Sequence, residues 1–288
     1  MRIFAEMEIP TPRDVLETIQ QPAVFAGKAG KQTLGGIGGM SLSTLNAVGE
    51  VWQLFWSVCV RLATRRWPLK LFMEQMYEIG VKSIGIAMIA SVFTGMVLAL
   101  QLAEGLARFG AKTYVGTIVS FAFVRELGPV LTSLLVGGRV GAGITAEIGS
   151  MTVTEQVDAM RGLGADPVRH LVVPRVTACV ICFPLLAIFA NVLGIGGGML
   201  ISYSELGITA SYFFETATRS LRAEDVISGI TKTIFFGLFV ALIACRQGLA
   251  VTGGTEGLGR ATKVTVMVTL VVTLISDFLL TKILMLLL

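Results

Sequence analysis

Two adjacent charged residues lie in the middle of a long apolar stretch of the sequence. Arg125 and Glu126 are the only charged residues in the stretch 113–138. A charge near the centre of a lipid bilayer costs on the order of 3 kcal/mol unless it has a partner, so such residues are candidates for function. Neighbours in sequence point in different directions on a helix, so this pair does not simply neutralise itself. We expect at least one of the two to face another group.

Arg125 has two candidate partners. One is Asp277, at a comparable depth in the last apolar stretch, and the other is a lipid phosphate, to which Arg forms two parallel hydrogen bonds. The charges could belong to a buried ion network or to a polar spot on a lipid pathway. Pro129 predicts a helix bend beside them, because its ring clashes with the carbonyl of Arg125. Lys232 and Lys282 are expected to reach the outer membrane surface.

Few residues of the chain could support catalysis. His170 is the single histidine, which excludes a multi-histidine metal site and leaves little for a Ser-His-Asp arrangement. Cys179 and Cys182 lie in an apolar stretch, where cysteine packs as a small apolar residue. The string Gly-x-x-x-x-Gly-Lys-Ser/Thr is absent, so the chain itself lacks P-loop ATPase chemistry. We therefore predict a protein that is not an enzyme and binds no metal or cofactor.

The composition predicts a membrane protein. Hydrophobic residues make up 54% of the 288 residues and charged residues 15%, against about 25% charged residues in a soluble domain. Five apolar stretches are long enough to cross a hydrocarbon core of about 30 Å as helices. They cover about residues 83–103, 113–138, 176–204, 226–245 and 264–288. The predicted fold class is an all-α membrane protein with five transmembrane helices, the third of them bent at Pro184.

The distribution of Lys and Arg predicts the orientation of these helices. With the N-terminus inside, the cytoplasmic segments hold 16 Lys and Arg and the outer loops hold 4. Basic residues favour the cytoplasmic side of a membrane. We therefore expect a cytoplasmic N-terminus and a C-terminus on the opposite side. The basic cytoplasmic segments also account for the net charge of +4. This charge therefore does not indicate nucleic-acid binding, and we predict no nucleic-acid partner.

The segment before the first apolar stretch divides into two predicted regions. Residues 1–43 form an N-terminal extension that is partly flexible, because residues 27–39 are rich in glycine. Residues 44–70 hold all three tryptophans and an apolar run too short to span a membrane, followed by a basic cluster. This pattern is typical of an amphipathic helix in the membrane interface. A re-entrant or partly buried helix is the alternative.

A short amphipathic helix is predicted between the second and third spans. Thr152 and Glu155 fit a capping box, as the N-cap and N3 residues of a helix of about ten residues. Val153, Val157, Met160 and, near the end of the helix, Leu163 recur at helical spacing on its apolar face. That face must be buried, either on the membrane domain of the chain or in a groove of a cytoplasmic partner. The residues alone leave both alternatives open.

Several strings of this sequence together resemble the MlaE/YrbE permease family. They are FVRELGPV from Phe123, AEIG from Ala146 with Met151 and Thr154-Glu155-Gln156, then Asp158-Ala159-Met160, Asp166-Pro167 and Pro174-Arg175. The resemblance covers roughly residues 70–288, which includes the five-span permease domain, 71–288. Members of the family are membrane subunits of MCE-type ABC lipid transporters.

The resemblance implies a homodimer in the bacterial inner membrane, with an interfacial helix before the first span of each subunit. It also implies a coupling helix at about 147–163 docked on an ATPase subunit that binds ATP and magnesium, and MCE-domain proteins on the periplasmic face. The cargo would be phospholipid or a related lipid moved between the inner and outer membranes. The residues that would couple to the ATPase are Glu147, Thr154, Glu155, Asp158, Met160 and Arg161.

A lipid pathway would run past the charges within the membrane. Its candidate residues are Arg125, Glu126 and Asp277, with Met96, Leu100 and Gln101 as lining positions on the first span. The glycines at 137–143 and 194–198 are expected to permit close helix packing. The competing hypothesis is a self-contained ion-coupled secondary transporter or channel that uses the same charges, although the sequence has no detectable internal repeat.

Overall fold

The computed structural model describes residues 47–62 and 69–287, and the regular elements of these residues are all helices. The all-α fold class predicted from composition is therefore confirmed. We number the helices in chain order. They are α1 (47–62), α2 (Leu69–Ala107), α3 (Lys112–Val153), α4 (Gln156–Gly162), α5 (Val168–Ser204), α6 (Ala210–Ser220), α7 (Ala223–Leu249) and α8 (Gly254–Leu287).

Five of the described helices are long and apolar enough to cross a membrane. These are α2, α3, α5, α7 and α8, which have 27 to 42 residues each. Each contains its predicted apolar stretch, apart from residue 288, which lies outside the described residues. Consecutive spans alternate in direction, so α4 and α6 lie at opposite ends of the bundle. We call these the α4 end and the α6 end.

α2 packs against α5 through small residues. The buried positions of α2 recur every four residues, which places them on one face of the helix; they are Ser83, Ala87, Ser91, Gly95, Ala99 and Ala103. A Cβ added at Gly95 would lie 1.9 Å from the carbonyl oxygen of Gly194, and one added at Gly197 would lie 2.4 Å from that of Val92. The two backbones therefore approach closely, as small residues allow between membrane helices. We call this contact the α2–α5 seam.

A short helix that was not predicted from the sequence covers the α6 end. Phe213 and Ala217 of α6 are buried in one cluster with Val119 and Phe123 of α3. The hydroxyl of Ser120 donates a hydrogen bond to the carbonyl of Ala217 at 3.2 Å. The spacing of four between Phe213 and Ala217 is the helical signal for this element.

The predicted capping box is wrong. α3 continues through Thr152 to Val153, and the Thr152 hydroxyl donates to the carbonyl of Ile148, one turn earlier, at 2.9 Å. Glu155 immediately precedes α4 and has a positive φ of 59°. The backbone therefore turns sharply at Glu155, and the predicted coupling helix at 147–163 consists of the end of α3 and the separate helix α4.

The region predicted as an interfacial helix contains α1. Trp52 and Trp56 are both exposed on it, as the interface hypothesis requires, but the position of α1 in a membrane stays a prediction. Trp67 and the predicted extension at residues 1–43 lie outside the described residues.

An ion pair links α1 to the beginning of α5. Arg61 bonds to the carboxylate of Asp166, and the other carboxylate oxygen of Asp166 accepts a hydrogen bond from the backbone N–H of Val168 at 3.1 Å. Burial alone would raise the pKa of Asp166, but the hydrogen bond and positive charge of Arg61, together with the backbone N–H groups, hold it below its ordinary value. Asp166 therefore acts as a carboxylate anchor for α1.

Candidate functional site: a charged cluster between three spans

The hydrogen bonding of α3 changes at its two central charges. Phe123–Leu127 forms a π-helical turn, and the N–H of Gly128 bonds to the carbonyl of Phe123, five residues back. Pro129 follows and has no N–H, so it cannot donate to the carbonyl of Arg125, four residues back. The sequence predicts a helix bend at Pro129, and the structure has the π-helical turn immediately before this residue.

Lys232 of α7 binds this carbonyl of Arg125. Its ammonium group donates to the Arg125 carbonyl at 3.1 Å and to Glu126 Oε2 at 2.6 Å, and it lies 3.2 Å from Asp277 Oδ1 of α8. The first two contacts are hydrogen bonds, and the third is an ion pair, since Asp277 Oδ1 is buried without a hydrogen-bond partner among the described residues. Lys232 is 0% exposed, so the prediction that its ammonium group reaches the membrane surface is wrong.

Arg125 has a different partner from the one predicted. Its Nη1 lies 3.4 Å from Asp225 Oδ1 in the first turn of α7, and its guanidinium group lies over the ring of Phe121, 5.1 Å from the centroid. Asp277, proposed from depth alone, pairs with Lys232 instead. Because the side chain of Arg125 keeps 23% of its surface exposed, it can still be reached by a ligand.

The five charged side chains form one site, which we call the charged cluster: Arg125, Glu126, Asp225, Lys232 and Asp277. It contains two basic and three acidic groups, so one carboxylate charge is not balanced within it. The Thr281 hydroxyl lies 3.4 Å from Glu126 Oε1, within hydrogen-bonding distance. The cluster can hold α3, α7 and α8 together, and the partly exposed Arg125 and Glu126 can meet a polar ligand.

The predicted lining residues lie on another helix. Met96 and Leu100 are half-buried on α2, and Gln101 is exposed. α2 belongs to the α2–α5 seam, whereas the charged cluster is built by α3, α7 and α8. The structure therefore does not bring the two sets of predicted pathway residues into one site. The helix α5 continues through Pro184, and the bend expected there stays a prediction.

The helix α4 combines an internal anchor with an exposed surface. Val157 is buried against the rest of the chain, and Met160 is half-buried. On the outside, Asp158 and Arg161 form an ion pair at 2.7 Å, and Leu163 is 86% exposed. The first alternative, packing on the chain itself, applies to Val157, which is buried. Leu163 is not covered by the described part of the chain.

We call the exposed part of this region the α4 surface. It comprises Thr154, Glu155, Asp158, Arg161 and Leu163. Thr154 uses its hydroxyl to bond the carbonyl of Ser150 at 2.9 Å, which leaves the charged residues and Leu163 as the groups most available to a partner.

Glu147, predicted as a coupling residue, has an internal partner. It lies on α3, and its carboxylate is 2.6 Å from Arg175 Nη2 of α5. The Arg175 side chain is only 5% exposed, and its other terminal nitrogen donates to the carbonyl of Leu171 at 2.6 Å. Glu147 thus ties α3 to α5 near the α4 end and lies outside the α4 surface.

The sequence matches known membrane transport proteins over this whole region. A family model described as "Permease MlaE" matches residues 72–283. A probable ABC transporter permease protein of Rickettsia typhi is 41% identical over 216 residues, which is 75% of this chain and 83% of the relative. A probable ABC transporter permease protein of Synechocystis is 40% identical over 206 residues, 72% of this chain and 78% of the relative.

A plant relative matches as well. The chloroplastic protein trigalactosyldiacylglycerol 1 of Arabidopsis thaliana is 37% identical over 210 residues, 73% of this chain and 60% of the relative. Together with five apolar spans, these matches define a multi-pass membrane protein of the ABC transporter permease class. The chain belongs to the MlaE permease family, which confirms the resemblance, and the matched range includes the charged cluster and α4.

Proposed function

We propose that this chain is the membrane subunit of an ATP-driven transporter that moves phospholipid or a related lipid between the inner and outer membranes. It acts as a homodimer in the bacterial inner membrane. An ATPase subunit binds at the α4 end, and an MCE-domain protein binds at the α6 end.

The α4 surface is the observation that carries this proposal. α4 is fixed on the chain by Val157 yet presents Glu155, the Asp158–Arg161 pair and Leu163 outward. A short helix held in this way can transmit movement between a partner and the spans on either side of it. An ABC permease requires an ATPase subunit, and this chain has no P-loop of its own. ATP and magnesium are therefore bound by the partner.

The proposed orientation follows from this docking. ATP is in the cytoplasm, so the α4 end is the cytoplasmic end and the last span finishes on the periplasmic side. The distribution of Lys and Arg supports the same orientation.

Lipid as the cargo is supported by the charged cluster and by the plant relative. Arg125 is partly exposed within the membrane, where a phosphate group is a suitable ligand for a guanidinium group. The name of the Arabidopsis relative is that of a galactolipid. Met96, Leu100 and Gln101 contribute to the pathway where a second copy brings its helices close.

A second copy is supported by the surface of α8. Met267, Ile275 and Phe278 are all more than half exposed on it, and among the five spans its apolar window is the least buried. An apolar face of this length is covered by lipid or by another subunit. We assign part of it to the homodimer.

The first test compares co-purification of the wild type with that of Glu155→Lys in mild detergent. We expect an ATPase to accompany the wild type and to be lost from Glu155→Lys, because the substitution reverses a charge on the α4 surface. The matched control is Glu205→Lys, the same change at an exposed position near the α6 end. It should keep the ATPase.

The bound material tests the remaining parts of the proposal. Mass spectrometry of the wild-type complex should find an MCE-domain protein and phospholipid. A chain that purifies alone and transports ions in liposomes without ATP would overturn the proposal. That result would favour the ion-coupled alternative, for which the unbalanced carboxylate of the charged cluster would be the proton or cation site.

A further inference from the structure

A cavity at the α4 end lies apart from the charged cluster. It has a volume of about 1000 Å³ and lies between the first turns of α2 and the second half of α3. Its lining includes Lys70, Glu74 and Tyr77 from α2, and Arg139 and Gly143 from α3. The cavity is open to the outside and has no role in the proposed ATPase docking.

The depth of this cavity matches that of lipid headgroups. Arg139 directly follows the apolar stretch 113–138, and its Nη1 donates to the hydroxyl of Ser83 at 2.7 Å. Ser83 is the first residue of the apolar stretch 83–103. Both stretches therefore end at the same level, and the cavity lies just beyond it, where the headgroup layer of a bilayer begins.

The ionised groups that face the cavity are not all balanced internally. Glu78 pairs with Lys82 at 2.6 Å, and Glu147 pairs with Arg175 at 2.6 Å. Within the described part of the chain, the lining residues that have no ion-pair partner are Lys70, Glu74 and Arg139. Two cationic groups and one carboxylate therefore remain available to a ligand.

A ligand that satisfies these groups carries a phosphate and an amine. The phosphate accepts charged hydrogen bonds from the guanidinium group of Arg139 and the ammonium group of Lys70. The amine, in its ammonium form, donates a hydrogen bond to the carboxylate of Glu74. An anionic ligand without an amine would leave Glu74 as a repulsive neighbour.

The exposed face of α2 offers room for acyl chains beside this headgroup. Tyr77, Val81, Ile89 and Phe93 are all more than half exposed and are separated by multiples of four residues. They lead from the cavity towards the α6 end along one side of the helix. Apolar surface thus continues directly from the polar lining.

We propose that this cavity binds the headgroup of a zwitterionic phospholipid from the cytoplasmic leaflet, with Arg139 and Lys70 on the phosphate and Glu74 on the amine. The inference rests on the proposed function and adds to it a lipid class and a second contact site, separate from the charged cluster. Gly143 lines the cavity, and a Cβ added there would meet no atom within 4 Å, so a larger side chain at this position extends into open space.

The test places a photoreactive benzoylphenylalanine at Tyr77 in the full chain, reconstituted in nanodiscs of phosphatidylethanolamine or phosphatidylglycerol. Mass spectrometry then measures the lipid adducts after illumination. We expect phosphatidylethanolamine adducts to exceed phosphatidylglycerol adducts. Arg139→Gln and Lys70→Gln should each lower the phosphatidylethanolamine yield by about tenfold, the effect of losing one charged hydrogen bond. Glu74→Gln should remove the preference between the two lipids.

Filling the cavity gives a second test that does not depend on charge. Gly143→Trp should abolish the adducts without disturbing the fold, because its side chain enters open space. The control is Gly259→Trp, an exposed glycine on α8 near the same end, where an added Cβ also meets nothing within 4 Å. That variant should keep the wild-type yield, and size-exclusion chromatography should give one elution volume for all three proteins.

Three results would overturn the inference. Adducts between two copies of the chain in place of lipid would identify the cavity as part of the subunit interface. Unchanged lipid adducts in Gly143→Trp would show that lipid does not enter it. Displacement of the lipid by millimolar phosphoethanolamine would show that a soluble zwitterion is the ligand.

Failure of the proposed function would be seen separately. ATP-driven lipid transfer between vesicles by the wild-type complex is measured without any cavity variant. If transfer is present and Gly143→Trp leaves its rate unchanged, the cavity inference fails and the transporter assignment stands. If the wild-type complex transfers no lipid, the transporter assignment fails whatever the adducts show.

Discussion

The α2–α5 seam and the charged cluster join helices of the same bundle by opposite means. In the seam, Gly95 and Gly194 let two backbones meet with almost no side chain between them. In the cluster, a fully buried Lys232 connects three helices through long polar side chains. Gly95 and Gly194 lie in α-helix, while Arg125 and Glu126 lie in a π-helical turn.

This difference reflects the two ways in which helices associate in lipid. Apolar side chains gain little by leaving lipid for a protein interface, so close packing of small residues and polar contacts provide the attraction. Packing fixes a distance between helices but gives a ligand nothing to bind. Polar contacts are costly unless satisfied, and they leave groups such as Arg125 available for function.

Removing the centre of the cluster should have the largest effect. Lys232→Met removes the cation that bonds to Glu126 and the Arg125 carbonyl and pairs with Asp277. We expect a loss of about 3–5 kcal/mol in the free energy of unfolding, typical of breaking a buried ion pair. Unfolding in mixed micelles by denaturant measures it.

The control for this variant is Lys282→Met, which removes an exposed lysine from α8. It should change stability by less than 1 kcal/mol, as for an exposed charge. Equal effects of the two substitutions would show that the cluster contributes nothing special to stability.

A single methyl group should disrupt the seam. In Gly95→Ala the new Cβ would lie 1.9 Å from a backbone oxygen that has no rotamer to change, so α2 and α5 must separate. We expect a loss of about 1–3 kcal/mol, the usual cost of overpacking. Gly85→Ala on the same helix meets no atom within 4 Å and should be close to neutral in the same unfolding measurement.

Function should distinguish the cluster from the seam. Arg125→Ala removes the exposed cation of the cluster but keeps Lys232 and its contacts. We expect ATP-driven lipid transfer to fall by at least about tenfold, the effect of losing a charged hydrogen bond, while the dimer remains intact by size-exclusion chromatography. Arg108→Ala, at an exposed position, should retain transfer. Loss of assembly in Arg125→Ala would assign Arg125 a structural role.

The smallest effect concerns the anchor of α1, outside the membrane spans. The pKa of Asp166 is lowered in the folded protein, so its stabilising contribution is complete above the unfolded value of about 3.9 and is lost as the pH falls through the folded value. We expect less than 1 kcal/mol, because the pair with Arg61 is partly exposed. The protection factors of the α1 amides, which correct for the pH dependence of intrinsic exchange, should fall below about pH 4 in the wild type. In Asp166→Asn they should lose this pH dependence.

The sequence was sufficient for features that depend on one helix at a time. The length of an apolar stretch decides whether it can span a membrane, so five spans could be predicted. The cost of a charge in lipid identified Arg125 and Glu126 as members of a site. The missing N–H of Pro129 indicated an irregular helix at the same place.

Contacts between helices could not be predicted in this way. Depth along a span suggested Asp277 for Arg125, but the rotation of each helix decides which side chains meet, and one sequence does not contain that rotation. Lys232 is one example. Its distance from the end of an apolar stretch suggested that it reaches the membrane surface, and nothing in the sequence indicated its contact with the Arg125 carbonyl on α3. Thr152 is another example, because its hydroxyl lies 3.2 Å from the carbonyl of Gly248 on α7, a partner that no local pattern indicates.

The bond between Lys232 and the Arg125 carbonyl also constrains how the protein is made. The two residues are 107 positions apart in the chain, and at about 5–20 residues per second the ribosome needs roughly 5–20 s to synthesise that length. During this interval the second span holds Glu126 and the Arg125 carbonyl without the lysine that binds both. We therefore expect the insertion machinery, or water, to surround α3 until α7 has been synthesised.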